Sequence, residues 1–376
     1  MKVSVVGGGI IGCATAWELA RAGCAVTLFE RATPGAEASS AAAGILAPLG
    51  DLTETAFARL ALASWRMFPA LTDELRELTG IDVEYVTRGT VYPLMSVEDV
   101  RRTEARVAER LDPVYGIQVW DTADVRANEP ALSTHVRGAM FVGADHWVNN
   151  QRLTVAYAQA AVAAGVTLRA GSSVTRVAVE LGHVRGVVAD GELWEADTVV
   201  MAAGAWTGEL VASFGGRLPL EPRRGQMLAL GHVPAVLNHL VHGDDVYLVP
   251  RPSGELLIGA TVERVGFQRG VTAAGIAALL AAAIELCPSL GALPITRTWW
   301  GFRPWAPDSL PVLGPWPDVD GLWIATGHYR NGILLAPITA RVMTDWITTG
   351  QPGMDIEAFV PARFVRSRVA RERERP

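Results

Sequence analysis

The 376-residue chain is too long for one simple core, and two domains are the expectation. Half of its residues are hydrophobic and 19% are charged, which supplies a large interior, and a net charge of −6 argues against a nucleic-acid partner. The three cysteines (Cys13, Cys24 and Cys287) have neither metal-ligand spacing nor an even disulfide count, so a reducing, cytoplasmic setting is expected and no metal.

Residues 1–6 form an apolar run, 7–12 read Gly-Gly-Gly-Ile-Ile-Gly, and 13–22 have helical periodicity; a second apolar run, 24–29, ends in Glu30. This strand, glycine turn, helix, strand, acid order is that of an ADP-binding unit. Gly7 permits the tight turn, Gly9 lets the backbone approach a pyrophosphate, and Gly12 lets helix and strand pack closely. The helix N-terminus offers free N–H groups and partial positive charge to phosphates, and Glu30 is placed to accept ribose hydroxyls. Because glycines interrupt the apolar start, it reads as strand and turn rather than as a secretory leader. Residues 39–48 (Ser-Ser-Ala-Ala-Ala-Gly-Ile-Leu-Ala-Pro) are poor helix-core material but small enough to lie flat against something large.

Further on, 52–78 has apolar residues at helical spacing, 83–95 turns strand-like with a break at Gly89, and 97–111 is a charged helix. A second break at 127–130 precedes strand and turn over 139–148. Residues 151–164 form an amphipathic helix that returns through Gly165 to a strand at 166–170, and 174–179 with 183–189 make a hairpin. The apolar strand 198–203, ending at Gly204, has the character of one that completes the dinucleotide-binding sheet, so the ADP unit is expected to be discontinuous. Strands at 223–230, 246–249 and 255–260 read as a mostly antiparallel second unit. The run 271–284 is too short to span a bilayer and closes on Glu285 and Pro288, so it is expected to be a buried or packing helix in a protein with no membrane span. A strand at 323–326, the turn 327–332 and a helix at 333–346 repeat the strand–glycine turn–helix order of the N-terminus. The arginine- and glutamate-rich stretch 361–376 is expected to be a flexible, solvated tail.

Five segments carry a resemblance in order and spacing: 5–12, Glu30, 40–46, Gly301-Phe302-Arg303-Pro304 and Gly327-His328-Tyr329-Arg330-Asn331-Gly332-Ile333. Together they resemble the D-amino-acid-oxidase-type flavoproteins, and within them the glycine oxidases of thiamine biosynthesis. The resemblance spans nearly the whole chain except the tail. It implies an α/β fold, α+β overall, in which a mostly antiparallel β-sheet substrate domain is inserted into a Rossmann-like FAD-binding domain. The implied FAD-binding segments are 1–84, 150–216 and 299–360, and the substrate-binding segments 85–149 and 217–298. It further implies noncovalent FAD held by Gly7, Gly9, Ile10, Ile11, Gly12, Glu30, Arg31, Ala38, Ser39, Ser40, Ala43, Gly44, Ile45, Val174, Gly204, His328, Tyr329, Arg330, Asn331, Gly332, Ile333 and Leu334. The implied reaction oxidises a small amino acid or amine to its imine, with hydride passing to the flavin and molecular oxygen becoming hydrogen peroxide.

Oxidation at Cα requires a substrate held by its carboxylate, and an arginine making two parallel hydrogen bonds is the natural partner. Arg303, in Trp-Trp-Gly-Phe-Arg-Pro-Trp, sits among aromatics that would dry the site; the resemblance makes it the carboxylate clamp, and the plainer alternative is an arginine stacked on tryptophans. Tyr247 is either the family's carboxylate-assisting tyrosine or an ordinary strand aromatic. Arg330 is either beside substrate and flavin or a plain turn arginine. No side-chain base is needed for hydride transfer from a neutral amine, so His328 is assigned to the cofactor side. The helix after Gly332 would stabilise negative charge on reduced flavin through its N-terminus. Two departures matter. Cys287 precedes the Arg303 motif and does not match the cysteine that tethers flavin in sarcosine-oxidase relatives. In the segment before Tyr247, Val241-His242 and Asp245 replace residues usual in glycine oxidases, and an acid there would favour an amine or a larger amino acid. A D-amino-acid, sarcosine or proline oxidase or dehydrogenase, an NAD-dependent dehydrogenase and a flavin-binding subunit without turnover are the rival readings. The electron acceptor and a homo-oligomeric state stay open.

Overall fold

The computed structural model describes residues 1–49, 55–110, 113–231 and 236–364. Strand β1 (Lys2–Val6), helix α1 (Ile10–Arg21) and β2 (Ala25–Glu30) open the chain as expected. The glycines between them are fixed by contact. Gly7 has φ +107°, and a Cβ there would lie 2.5 Å from the Ala202 carbonyl oxygen; a Cβ on Gly12 would lie 1.8 Å from that of Gly7. A single helical turn, α2 (Ala38–Ala41), and the short strand β3 (Ile45–Leu46) follow. The small-residue stretch thus does form helix, for one turn only.

The helix expected over 52–78 is two helices, α3 (Ala56–Trp65) and α4 (Phe68–Thr79); its first three positions lie outside the described residues. Pro69, at the start of α4, cannot donate to the preceding turn, so the chain bends there. Next come β4 (Thr90–Leu94), α5 (Val97–Arg110), β5 (Ile117–Trp120), α6 (Thr122–Asn128), β6 (Gly138–Val142) and β7 (His146–Trp147). Position 111 of the expected charged helix lies outside the described residues. Helix α7 (Asn150–Ala163), capped by Asn149, leads to β8 (Thr167–Ala170), the hairpin β9 (Val174–Glu180) and β10 (His183–Ala189), then β11 (Glu192–Glu195), β12 (Thr198–Met201) and α8 (Thr207–Ala212). The rest comprises β13 (Glu221–Leu230), β14 (Leu240–His242), β15 (Tyr247–Pro250), β16 (Leu256–Gly259), α9 (Ala273–Leu286), β17 (Ile295–Trp305), β18 (Val312–Pro315), β19 (Leu322–Thr326) and α10 (Gly332–Thr349).

A six-stranded sheet runs β18-β19-β12-β1-β2-β8, parallel except for β18. Its strands come from four separated stretches of chain, as the 198–203 strand suggested. On one face α1, α7 and α10 pack; Trp17 and Tyr157 meet edge to face at 5.8 Å, and Ser64 of α3 donates to the Leu334 carbonyl. Each fully buried large apolar side chain in this layer contributes about 1.5–3 kcal/mol. A second sheet of eight strands, β17-β13-β16-β15-β14-β4-β6-β5, is antiparallel except where β14 runs parallel to β4. One of its faces is covered by α9, which buries only Leu279, Ala283 and Leu286 and leaves its other side to solvent, so α9 is a packing helix and not a buried one. The other face looks toward the six-stranded sheet.

Two expected boundaries shift. Residue 299 falls inside β17, which pairs with β13 through Trp305, so the chain returns to the six-stranded sheet only at β18. The expected tail is docked at its start: Arg363 donates to Asp308 at 2.7 Å and to the Leu310 and Pro311 carbonyls. The remainder of that tail, from 365, lies outside the described residues. No helix among the described residues is long and apolar enough to cross a membrane, and no group of side chains there has metal-ligand geometry.

Candidate active site

A cavity of about 1330 Å³ runs between the two sheets, from the first glycine turn to the inner face of the large sheet. At one end Gly7, Gly9, Ile10, Ile11, Glu30, Arg31, Ala38, Ser39, Val174 and Gly204 line it. The Glu30 carboxylate is held rigidly, accepting from Gly8 N and Ala32 N, each at 2.8 Å. Arg31 is pinned too: its guanidinium lies 3.9 Å over the Trp206 ring and 2.6 Å from Glu37. The first N–H of α1, at Ile10, donates to Ser39 Oγ at 2.9 Å, which brings α2 against the glycine turn.

Midway, Ala43, Gly44 and Ile45 form one wall. Their path is set by Gly44, where a Cβ would lie 2.0 Å from the Val148 carbonyl oxygen. It is also set by Arg251, which donates to the Val148 and Ala43 carbonyls and to Asn150 Oδ1. Burial lowers the Arg251 pKa to about 10, which still leaves a cation. Opposite stand His328, Tyr329, Arg330, Asn331, Gly332 and Ile333. Asn331 caps α10 without a side-chain hydrogen bond, so the first-turn N–H groups face the cavity unshared. His328, 3.0 Å from Thr339 Oγ1 by its Nε2, is pushed down to about 3 by burial and stays neutral, a scaffold group.

The far end is built by register. A single row crosses the large sheet: Met140 on β6 opposite Tyr92 on β4, then His242 on β14, opposite Tyr247 on β15, which faces Gly259, which faces Met227 on β13. The His242 ring centroid is 5.4 Å from that of Tyr92 and 5.9 Å from that of Tyr247. Two steps along β13, Gly225 faces Gly301, and two steps further Arg223 faces Arg303. The Arg303 side chain folds back over Gly225, where a Cβ would lie 2.3 Å from Nη1, and Nη1 donates to the Thr261 carbonyl at 3.0 Å. Because strand side chains alternate, Trp300 and Phe302 point to the other face and pack with Trp206 and Phe267. The run around Arg303 is therefore split between the faces: Trp299 and Trp305 share its face, Trp299 in one cluster with Tyr247 and Met227, and Trp305 under the Arg223 guanidinium.

Arg330 acts electrostatically on Tyr92, His242 and Tyr247 together, so it faces this row. Burial first, and then Arg330, lowers the His242 pKa and holds its ring neutral. Burial raises the Tyr247 pKa against the opposing pull of Arg303 and Arg330. Among the described residues neither arginine has a carboxylate within ion-pair distance; of the two other arginines that line the cavity, Arg31 has one in Glu37, and Arg106 of α5 has none. This end of the cavity carries positive charge that no carboxylate among the described residues offsets.

Three expected cofactor residues do not line the cavity. Gly12 serves packing, Ser40 turns its carbonyl to Asn150 and Gln151, and Leu334 is in the core. Asp245 lies in the exposed turn between β14 and β15 and contributes no acid to the pocket, whereas His242 does line it. None of the cysteines lines it; Cys287 is buried under α9 on the opposite face of the large sheet. Sequence reasoning missed Tyr92, Met227, Gly225 and Arg251. Tyr92, Met227 and Gly225 sit in ordinary strand patterns and reach the cavity only through cross-strand register, and Arg251 lies in a turn after β15 whose long-range contacts have no local signal.

The family model for FAD-dependent oxidoreductases matches residues 2–346. The chain belongs to this family. It is 35% identical to glycine oxidase of Pseudomonas putida, over 96% of this chain and 98% of that relative. It is 38% identical to the bifunctional protein ThiO/ThiG of Trichormus variabilis, but covers only 55% of it: the chain spans about half the length of that relative. Its structure matches that of glycine oxidase from Geobacillus kaustophilus with a TM-score of 0.90 at 34% identity, covering 97% of this chain and 99% of the other. With glycine oxidases matched over nearly their whole length, its class is that of the FAD-dependent amino-acid oxidases, and FAD is the cofactor.

The residues fit that cofactor. Gly7, where any Cβ would strike Ala202, and the fixed Glu30 carboxylate suit a pyrophosphate and ribose, and the uncapped α10 N-terminus suits an electron-rich ring edge.

Proposed function

We propose that the protein oxidises glycine, or a similarly small amino acid or amine, to the imine, which water then converts to the oxo acid and ammonia. The observation that carries this reading is the pair of guanidinium groups without a carboxylate partner among the described residues, Arg303 and Arg330, acting on the Tyr247 hydroxyl at the large-sheet end of the cavity. Arg303, anchored by Thr261 and laid flat over Gly225, presents its remaining N–H groups to the substrate carboxylate. Tyr247 donates a further hydrogen bond, and Arg330 neutralises charge from the opposite wall. The similarity to glycine oxidases favours glycine as that substrate. Bound FAD supplies the hydride acceptor for the Cα–H, and oxygen regenerates it with formation of hydrogen peroxide.

The six-stranded sheet with its helices is the discontinuous FAD-binding unit in this reading, and the eight-stranded sheet, including all of β17, is the substrate unit. The reading carries with it the place in thiamine synthesis that the resemblance implies. The test is anaerobic. The purified protein is mixed with glycine, sarcosine, D-alanine and proline, and loss of the yellow colour of oxidised flavin is followed; peroxide is then measured in air. Fastest bleaching by glycine supports the reading. Preference for another compound replaces glycine with it, and no bleaching by any of them overturns the assignment.

A further inference from the structure

Two carboxyl groups of the large sheet are fully buried. Glu129 is met by the Asn238 and His239 backbone N–H groups and the His239 ring, at 2.6–2.9 Å. Asp145, in the turn after β6, has no such company. The Tyr92 hydroxyl donates to its Oδ2 at 2.7 Å, the Thr90 hydroxyl acts on it more weakly, and Oδ1 has no hydrogen-bond partner. Among the described residues no cation offsets its burial. A carboxyl in that position is costly to ionise and needs a reason to be kept. Its one strong contact leads to the cavity, because Tyr92 lines the substrate end beside His242.

We propose that Tyr92 and Asp145 form a proton relay that takes the proton from the substrate's ammonium group. The proposal rests on the amino-acid reading above. At neutral pH an amino acid arrives as a zwitterion, and its nitrogen lone pair, needed to form the imine, is tied up by a proton. With the carboxylate at Arg303 and Tyr247, the nitrogen lies toward Tyr92. Strands two apart in a sheet are separated by about 10 Å, and a two-carbon amino acid with a hydrogen bond at each end spans about the same length. Tyr92 donates its own hydrogen to Asp145, so its oxygen has lone pairs free to accept one from the ammonium group.

The step balances without any oxidant. The N–H proton moves to the Tyr92 oxygen, the tyrosine's proton moves to Asp145 Oδ2, and a +1 and −1 pair becomes two neutral groups. Tyr92 touches substrate, whereas Asp145 acts through it. The surroundings suit the transfer. Burial pushes the Asp145 carboxyl up to about 7, so it can hold a proton near neutral pH. The competing groups are poor acceptors. His242 is lowered by burial and Arg330, and His146, which bonds Tyr85 outside the cavity, is pushed by burial to about 4. Two arginines line the cavity on this side, Arg330 and Arg106 of α5; Arg330 acts on Tyr92, and positive charge there disfavours a second cation.

The test compares wild type, Tyr92→Phe and Asp145→Asn holoenzymes by anaerobic flavin reduction with glycine between about pH 6 and pH 10. Asp145→Asn keeps an acceptor for the Tyr92 hydroxyl and so preserves the cavity. Both variants should lose tenfold or more at pH 7, and recover to within about twofold of wild type at pH 10, where the amine arrives neutral. Affinity for acetate, which has no amine, should stay within about twofold throughout. Wild-type rates at pH 7 in either variant, or a loss of the same factor at every pH, would overturn the relay while leaving the amino-acid reading standing. Failure of the wild type to be reduced by any amino acid would remove both.

Discussion

Gly225→Ala isolates the Arg303 geometry from everything else in the site. The new Cβ would lie 2.3 Å from Nη1, 2.4 Å from Nη2 and 2.5 Å from Cζ of Arg303, contacts that cannot be kept. The backbone need not move, because what it strikes is the far end of a flexible side chain. Gly225 has no left-handed φ, so alanine fits the strand, and its lower unfolded-state entropy offsets part of any strain, by about 0.4–1 kcal/mol. Stability and flavin content should therefore be nearly unchanged. The guanidinium must shift by roughly 1 Å, enough to break one charge-assisted hydrogen bond to a bound carboxylate, a loss of about 1.5–3 kcal/mol. That corresponds to about a ten- to hundredfold weaker Kd. Spectral titration of the bound flavin with acetate or glycolate, normalised to flavin content, measures it. Unchanged affinity, with the flavin spectrum intact, would refute the placement of Arg303 over Gly225 and with it the clamp.

Arg330→Ala should weaken the same inhibitors less, about three- to tenfold, because Arg330 is exposed and has no fixed partner; equal losses for Arg303→Ala and Arg330→Ala would contradict that ranking. Gly12→Ala should yield protein with little or no bound flavin and a lowered Tm, since its Cβ would sit 1.8 Å from the Gly7 carbonyl oxygen, and normal flavin content would count against the glycine cradle. His328, neutral in the fold with its pKa lowered to about 3 against about 6.5 unfolded, binds its proton only on unfolding over that interval. Stability should hold above pH 6.5 and fall by about 1.4 kcal/mol per unit below it on this account alone, and His328→Gln should flatten the decline of Tm with acid. Asp145 has the opposite sign. A carboxyl raised to about 7 binds its proton more tightly in the fold, so stability falls as pH rises from about 4 to 7, and Asp145→Asn should raise Tm at pH 8 more than at pH 5.

The sequence by itself determined the glycine-turn end of the cavity. The glycines at 7, 9 and 12, Glu30 and the small residues from 38 to 45 are neighbours along the chain, and the turn, helix and strand that use them are local structures with local signals. It also exposed Arg303 and the second glycine turn, because an arginine in an apolar run and a repeated strand–turn–helix pattern can be read without knowing any partner. What it left undecided was which face each strand shows and what stands across from it. A shift of one residue turns a strand's side chains over, so the sequence could not say which aromatics around Arg303 shield it: Trp299 and Trp305 share its face, whereas Trp300 and Phe302 alternate to the other. Asp245, adjacent to Tyr247 in sequence, faces solvent, while Asp145, a hundred residues before it, sits behind the substrate end through Tyr92. Only the tertiary structure decided that row of Tyr92, His242 and Tyr247, because it exists through hydrogen-bonded register among strands from distant parts of the chain, and no local pattern carries that information.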